Sequence, residues 1–272
     1  MRWDTFLMVD WSGGNDRGPT PTKDAIWAAV HGPDGPLPPQ YFRNRQVFED
    51  WLVPTLDVEL TAGRRVMAGF DFPFGYPLGF GKHLTGKDDP LALWAWFADR
   101  IEDAPRANNR FDVAGMINGT LPGIGPFWGN GLKRDIAHLP RKGLSRTPNH
   151  FPEHRNVETL AKGSFTCWQL AGAGSVGSQV MMGLPVLHRL RQQFKENISI
   201  WPFEPSAKPI TVMEIWPTLF AGPAPVDMIK DAHQVAATAA ALAKRNLTPD
   251  HADVAVSAPV EGWILGIGQT QT

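Results

Sequence analysis

One cysteine, Cys167, and two tyrosines are all that the 272-residue chain has of these residue types. A lone cysteine excludes an internal disulfide and any zinc site built from several thiolates, and it suits a reducing compartment; the cytoplasm is therefore the expected location. No apolar run approaches the roughly 20 residues that span a bilayer, and Asp4 interrupts what would be the apolar stretch of a signal peptide. The expectation is a soluble, unexported protein with no membrane partner. Net charge is also nearly absent, since 26 Lys and Arg stand against 27 Asp and Glu. Overall attraction to nucleic acid or an anionic surface is excluded, so any such attraction has to be regional.

Glycine and proline, by contrast, are plentiful. They number 27 and 25, about a fifth of the chain against a usual share of roughly an eighth. Long ordered loops should join compact elements, and 11 Trp with 15 Phe argue for a large core rather than disorder. The length suits a single domain over 1–272 carrying an insertion.

Residues 5–11 (TFLMVDW) read as a strand apolar on both faces, hence central in a covered sheet. AIWAAV (25–30) reads as a second strand and YFRNR (41–45) as an edge-like third. QVFEDWLVPTLDVELTAGR then reads as a helix interrupted near Pro54 and stopped by Gly63. VMAGFDFPFGYP (66–77) is a second wholly apolar strand, ended by its prolines. The irregular text of 78–165, with one clear helix at 90–103, is the insertion. A helix at 176–195, with Gly183 and Pro185 as its kink points, follows, then the strand ITVMEIWP (210–217) and an Ala-rich helix (229–245). The expected fold is α/β with a mixed sheet in the order β-β-β-α-β-α-β-α and a large insertion after the fourth strand.

Each buried strand ends in one acid: Asp10, Asp71 and Glu214. If these strands lie parallel, their C-terminal ends meet at one edge of the sheet, where open α/β folds place their sites. The last helix supplies a fourth acid, because Asp231 shares a face with Val235, Thr238 and Leu242. Carboxylates about 4 Å apart repel by roughly 4 kcal/mol per pair at an effective dielectric near 20, so such a cluster takes up protons or cations. An all-oxygen set suits Mg²⁺ or Mn²⁺, the ions of phosphodiester hydrolysis. Taken singly, each acid also has a plainer role: a turn cap at Asp10, an ion pair at Glu214, helix-dipole stabilisation at Asp231.

VDWSGG, GFDFPFGYP and EIWP, with the late KDAHQVAA helix, resemble an uncharacterised domain family of predicted ribonuclease H-like nucleases. The resemblance implies a ribonuclease H-like fold, with Asp10, Asp71, Glu214 and Asp231 where that superfamily carries metal ligands. One departure is the acid that the pattern places on the helix after strand three. Glu49 is available there but lies off the apolar face formed by Val47, Phe48, Trp51 and Leu52.

Charge is uneven in the insertion, where residues 105–155 carry a net +5. Arg106, Arg110, Lys133, Arg134, Arg141 and Lys142 are candidate nucleic-acid contacts, DNA or RNA. The interleaved Phe111, Phe127, Trp128 and Phe151 are candidate stacking surfaces. GAGSVG (172–177) is a weak phosphate-binding match that, with the Asp10–Gly14 turn, nominates Ser12, Gly13, Gly174 and Ser175. Pro152 argues against a metal pair at His150 and His154, and Cys167 is expected to be buried. The leading expectation is a metal-dependent nuclease. A nucleotide- or phosphate-ligand protein, either an actin-like phosphotransferase or a cofactor-biosynthesis accessory, and a non-catalytic binding module stay open.

Overall fold

The computed structural model describes residues 2–147 and 150–268; positions 148–149 of the expected insertion and 269–272 of the chain lie outside the described residues. The strands are β1 (Thr5–Asp10), β2 (Ile26–Gly32), β3 (Gly35–Pro36), β4 (Gln40–Phe42) and β5 (Val66–Phe70), followed by β6 (Asp103–Ala104), β7 (Ala107–Asn108), β8 (Ile198–Ile200) and β9 (Ile210–Glu214). The helices are α1 (Arg45–Thr61), α2 (Phe80–Thr85), α3 (Pro90–Ala98), α4 (Arg110–Asn118), α5 (Asn156–Leu160), α6 (Val176–Phe194) and α7 (Lys230–Lys244).

The main sheet runs β3-β2-β1-β5-β9-β8, with β4 also paired to β2. It is mixed. β2 lies antiparallel to β1, whereas β1, β5, β9 and β8 are mutually parallel. The wholly apolar β1 and β5 are central, as their composition requires. Gly69 in β5 has a packing reason, because a Cβ there would lie 2.6 Å from Met8 Sδ and 2.8 Å from Ile215 Cγ2.

Helices cover both faces. On one side Phe6, Met8, Met67, Met213 and Ile215 pack with Val235, Ala239 and Leu242 of α7. On the other, Leu7, Val9, Ala68, Phe70 and Val212 belong to a larger core with Phe48 and Leu52 of α1 and Val180, Leu184 and Leu187 of α6. That core continues through Trp94, Phe97, Phe111, Phe127 and Trp168, so the inserted segment is welded to the sheet by aromatic packing. Among the described residues no helix is long and apolar enough to cross a membrane.

Several local expectations change. The Asn44 side chain caps α1 by accepting from the Val47 N–H at 2.9 Å. The helix then runs through Pro54, which faces solvent, where water can satisfy the carbonyl left without a partner. Its apolar face is Phe48, Leu52 and Leu56; Val47 is exposed. Likewise α6 continues past Gly183 and Pro185, because its long buried face outweighs the roughly 3 kcal/mol of a helical proline. The helix expected at 90–103 stops at Ala98, and the chain turns into the β6–β7 hairpin. Short helices α2, α4 and α5 and strands β3 and β8 had no periodicity to announce them.

Candidate active site

Register decides which acids meet. Val9 is level with Phe70, and Phe70 with Glu214; the Asp71 N–H donates to Val9 O at 3.0 Å and carries the ladder one residue further. Side chains alternate along a strand. Asp10 and Asp71 therefore follow Met8 and Gly69 toward the α7 side, and Glu214 follows Phe70 toward the opposite side.

On the α7 side the acids converge. Asp10, Asp71 and Asp231 line one cavity of about 760 Å³, together with Asp24. Val235, Thr238 and Leu242 are all buried, so the inward face assigned to Asp231 is the one observed. Asp231 Oδ2 accepts from the Asp24 N–H at 2.7 Å. Among the described residues, the Asp10 and Asp71 carboxylates have neither a hydrogen-bond nor an ion-pair partner. Burial, then the charges of Asp71, Asp231 and Asp24, push the Asp10 carboxyl well above the usual aspartate range. Burial, then Glu214 and Asp231, push Asp71 up to about 7. Lys230 on the same cavity opposes both shifts.

Glu214 has a different fate, and the expectation that it completes a four-carboxylate cage is corrected. It is 2% exposed and held by Arg155, with Nη2 at 2.6 Å from Oε1 and Nη1 at 2.8 Å from Oε2, while the Phe74 N–H donates to Oε2 at 3.0 Å. Arg155 is itself fully buried and also donates to Glu158 at 2.8 Å. The reason is that Glu214 stands level with Phe70, one residue short of the level of Asp71, so the pleat turns it to the other face, onto a smaller cavity that Asp71 also borders.

The turn after Asp10 is held by a residue that no motif marked. The buried Arg45 donates through Nη1 to Ser12 O and Gly14 O at 3.0 and 2.6 Å, and forks onto Asp103 at 2.6 and 2.5 Å. Gln179 Nε2 adds a bond to Trp11 O at 2.6 Å. Gly13 lies against the start of α6, and a Cβ there would sit 2.5 Å from the Ser178 carbonyl carbon.

The glycine-rich segment reaches the same cavity. Ser12, Gly13, Gly174 and Ser175 all line it. The Ser12 hydroxyl is already engaged, donating to Asp24 O at 3.1 Å and accepting from the Gly14 N–H at 3.2 Å. Gly177 packs closely, its missing Cβ 2.4 Å from Cys167 O. Cys167 is buried and its thiol is pushed up by burial.

Of the six cations nominated in the insertion, Arg110 alone lines this cavity. Arg134 pairs with Asp112 and Arg141 with Asp135, while Arg106, Lys133 and Lys142 are exposed elsewhere. Phe111 and Phe127 are 4% and 0% exposed, so they anchor the core and offer no stacking surface. His154 sits 3.7 Å from Glu158 rather than in a metal pair. Glu49 pairs with Arg189 at 2.6 Å.

Among the described residues, no group of three or more His, Cys, Asp or Glu side chains is disposed to hold a metal ion. The donor set at the cavity is instead two unpartnered carboxylates at neighbouring strand ends. That chemistry fits Mg²⁺ or Mn²⁺, since Mg²⁺ is usually held by one or two carboxylates and completed by water and substrate phosphate. Compared with models of known protein families, with curated proteins and with solved structures, the chain matches none.

Proposed function

We propose that this chain is a divalent-metal-dependent phosphodiesterase, cytoplasmic, that cleaves a nucleic-acid backbone on a ribonuclease H-like sheet. One observation carries the reading: Asp10 and Asp71 stand side by side at the ends of parallel strands, unpaired, on a polar cavity. The strand order supports the fold assignment, with antiparallel β2 beside β1 and parallel β5 and β9 on its other side. Asp10 and Asp71 would hold Mg²⁺ or Mn²⁺, and Asp231 faces them from α7. The ion, when bound, supplies Lewis-acid stabilisation of charge on phosphoryl oxygens. The chain's own residues do the rest: Arg45 and Gln179 hold the turn that carries Asp10, and Lys230 and Arg110 bring positive charge to the cavity wall.

Asp10→Asn should abolish Mn²⁺-dependent cleavage of single-stranded oligonucleotides while the circular dichroism spectrum stays that of the wild type. Unchanged cleavage removes Asp10 from the mechanism. A second reading, a nucleotide- or phosphate-ligand protein, is favoured by the two glycine-rich turns on the cavity and by the distance of the other insertion cations from it. Protection of the wild type against thermal unfolding by a mononucleotide, without any cleavage, would select it.

A further inference from the structure

Arg110 opens α4 and stands in the wall of the acid-lined cavity. Its partners are neutral: Nε donates to Ser178 Oγ at 2.8 Å and Nη1 to Asn108 Oδ1 at 2.6 Å. Among the described residues Nη2 has no hydrogen-bond partner and no carboxylate pairs with the guanidinium. Arg45 is forked onto Asp103 and Arg155 onto Glu214 and Glu158, whereas Arg17, on the same cavity, donates through Nε to Asp24 O at 3.1 Å. The charge of Asp103 favours the Arg110 cation, and Asp103 is already committed to Arg45. Arg45, Asp103 and Arg110 thus sum to one uncompensated positive charge.

A partly buried cation without a counter-ion is costly unless something anionic enters beside it. Burial, then Arg45, pull the Arg110 guanidinium down to about 10, so it is still a cation at neutral pH. Two hydrogen bonds and the Phe111 ring, whose centroid is 4.3 Å from Cζ, fix its plane. The group is therefore preorganised, with one edge left for a ligand. Across the same cavity, residues 170–175 present only backbone and small or apolar side chains, and Gly172 and Gly174 adopt left-handed backbone that keeps side-chain bulk out. A cavity of about 760 Å³ has room for more than one phosphate.

We infer that Arg110 holds a second phosphate of the substrate, separate from the one presented to Asp10 and Asp71, so that the substrate is a phosphodiester carrying a further phosphate group. This inference rests on the phosphodiesterase reading for the first phosphate only.

Two measurements separate the claims. Inorganic phosphate, titrated in metal-free buffer, should raise the thermal midpoint of the wild type in a saturable way. For Arg110→Gln the shift should be about threefold smaller or absent, with Arg110→Lys, which keeps charge but not the fork, in between. Equal shifts in wild type and Arg110→Gln, or none in the wild type, overturn the subsite. In the second measurement, Mn²⁺-dependent hydrolysis of a 5′-phosphorylated thymidine dinucleotide is compared with that of bis(p-nitrophenyl) phosphate, which has one phosphate. The wild type should prefer the dinucleotide, and Arg110→Gln should lower that preference by about tenfold, mainly through KM. Hydrolysis of both with an unaltered ratio overturns the subsite and leaves the phosphodiesterase reading intact. Arg110-dependent phosphate binding with no hydrolysis of either compound supports the subsite and overturns the phosphodiesterase reading.

Discussion

At the C-terminal edge of the sheet, acids on the two faces have opposite surroundings. On the α7 face, Asp10 and Asp71 share a cavity with Asp231 and, among the described residues, have no counter-ion in contact. On the other face, Glu214 is closed in by Arg155, which Glu158 also holds, so both acids there share one buried guanidinium. The two sets lie near enough for Glu214 to raise the Asp71 carboxyl. The difference teaches how to tell an acid that builds the fold from one held ready for a ligand. Where a buried carboxylate meets an arginine fork, its charge is spent on structure. Where neighbouring carboxylates are buried together without an arginine, burial first and then their mutual charge raise both.

The comparison breaks most severely at Arg155. Arg155→Met leaves Glu214 and Glu158 buried without their cation and should cost about 3–5 kcal/mol, read from the urea midpoint. Next is Gly13→Ala, which drives a methyl into the Ser178 backbone at the turn carrying Asp10. A loss of about 1–3 kcal/mol is expected, with cleavage falling further than stability because the acid moves.

Asp71→Asn works in the other direction. Because the native Asp71 carboxyl is raised from 3.8 to about 7, the folded wild type binds more protons than the unfolded chain between those values, and it loses stability as pH climbs through them. The asparagine variant avoids that loss. In metal-free buffer it should exceed the wild type by about 1–2 kcal/mol above pH 7 and show no advantage below pH 4. An advantage that is constant with pH would mean that Asp71 is not raised. The smallest effect belongs to the exposed Arg134–Asp112 pair of the insertion: Arg134→Gln should leave the thermal midpoint unchanged.

Much of this was legible in the residues. The apolar runs before Asp10 and Asp71 marked central strands, and the i, i+4, i+7 pattern of α7 placed Asp231 on its inward face. Glu214 looks no different in sequence, because an acid at a strand end looks alike whichever face it takes. Arg155 in sequence is one more basic residue of the insertion, although this side chain is the buried counter-ion of an acid 59 positions later. Arg45 carried no signal, since the carbonyls it binds belong to a turn more than 30 residues earlier.

Composition and periodicity by themselves determined the α/β class, the central strands and the acids that end them, because burial on both faces of a strand is written in its own residues. Tertiary structure alone decided which acids share a cavity and which are neutralised. Parallel register sets the face each side chain takes, and Glu214, level with Phe70 rather than with Asp71, faces Arg155 on the side away from Asp10 and Asp231. Ion pairing between distant segments, Arg155 with Glu214 and Arg45 with Asp103, left Asp10, Asp71 and Arg110 on the cavity outside those pairs.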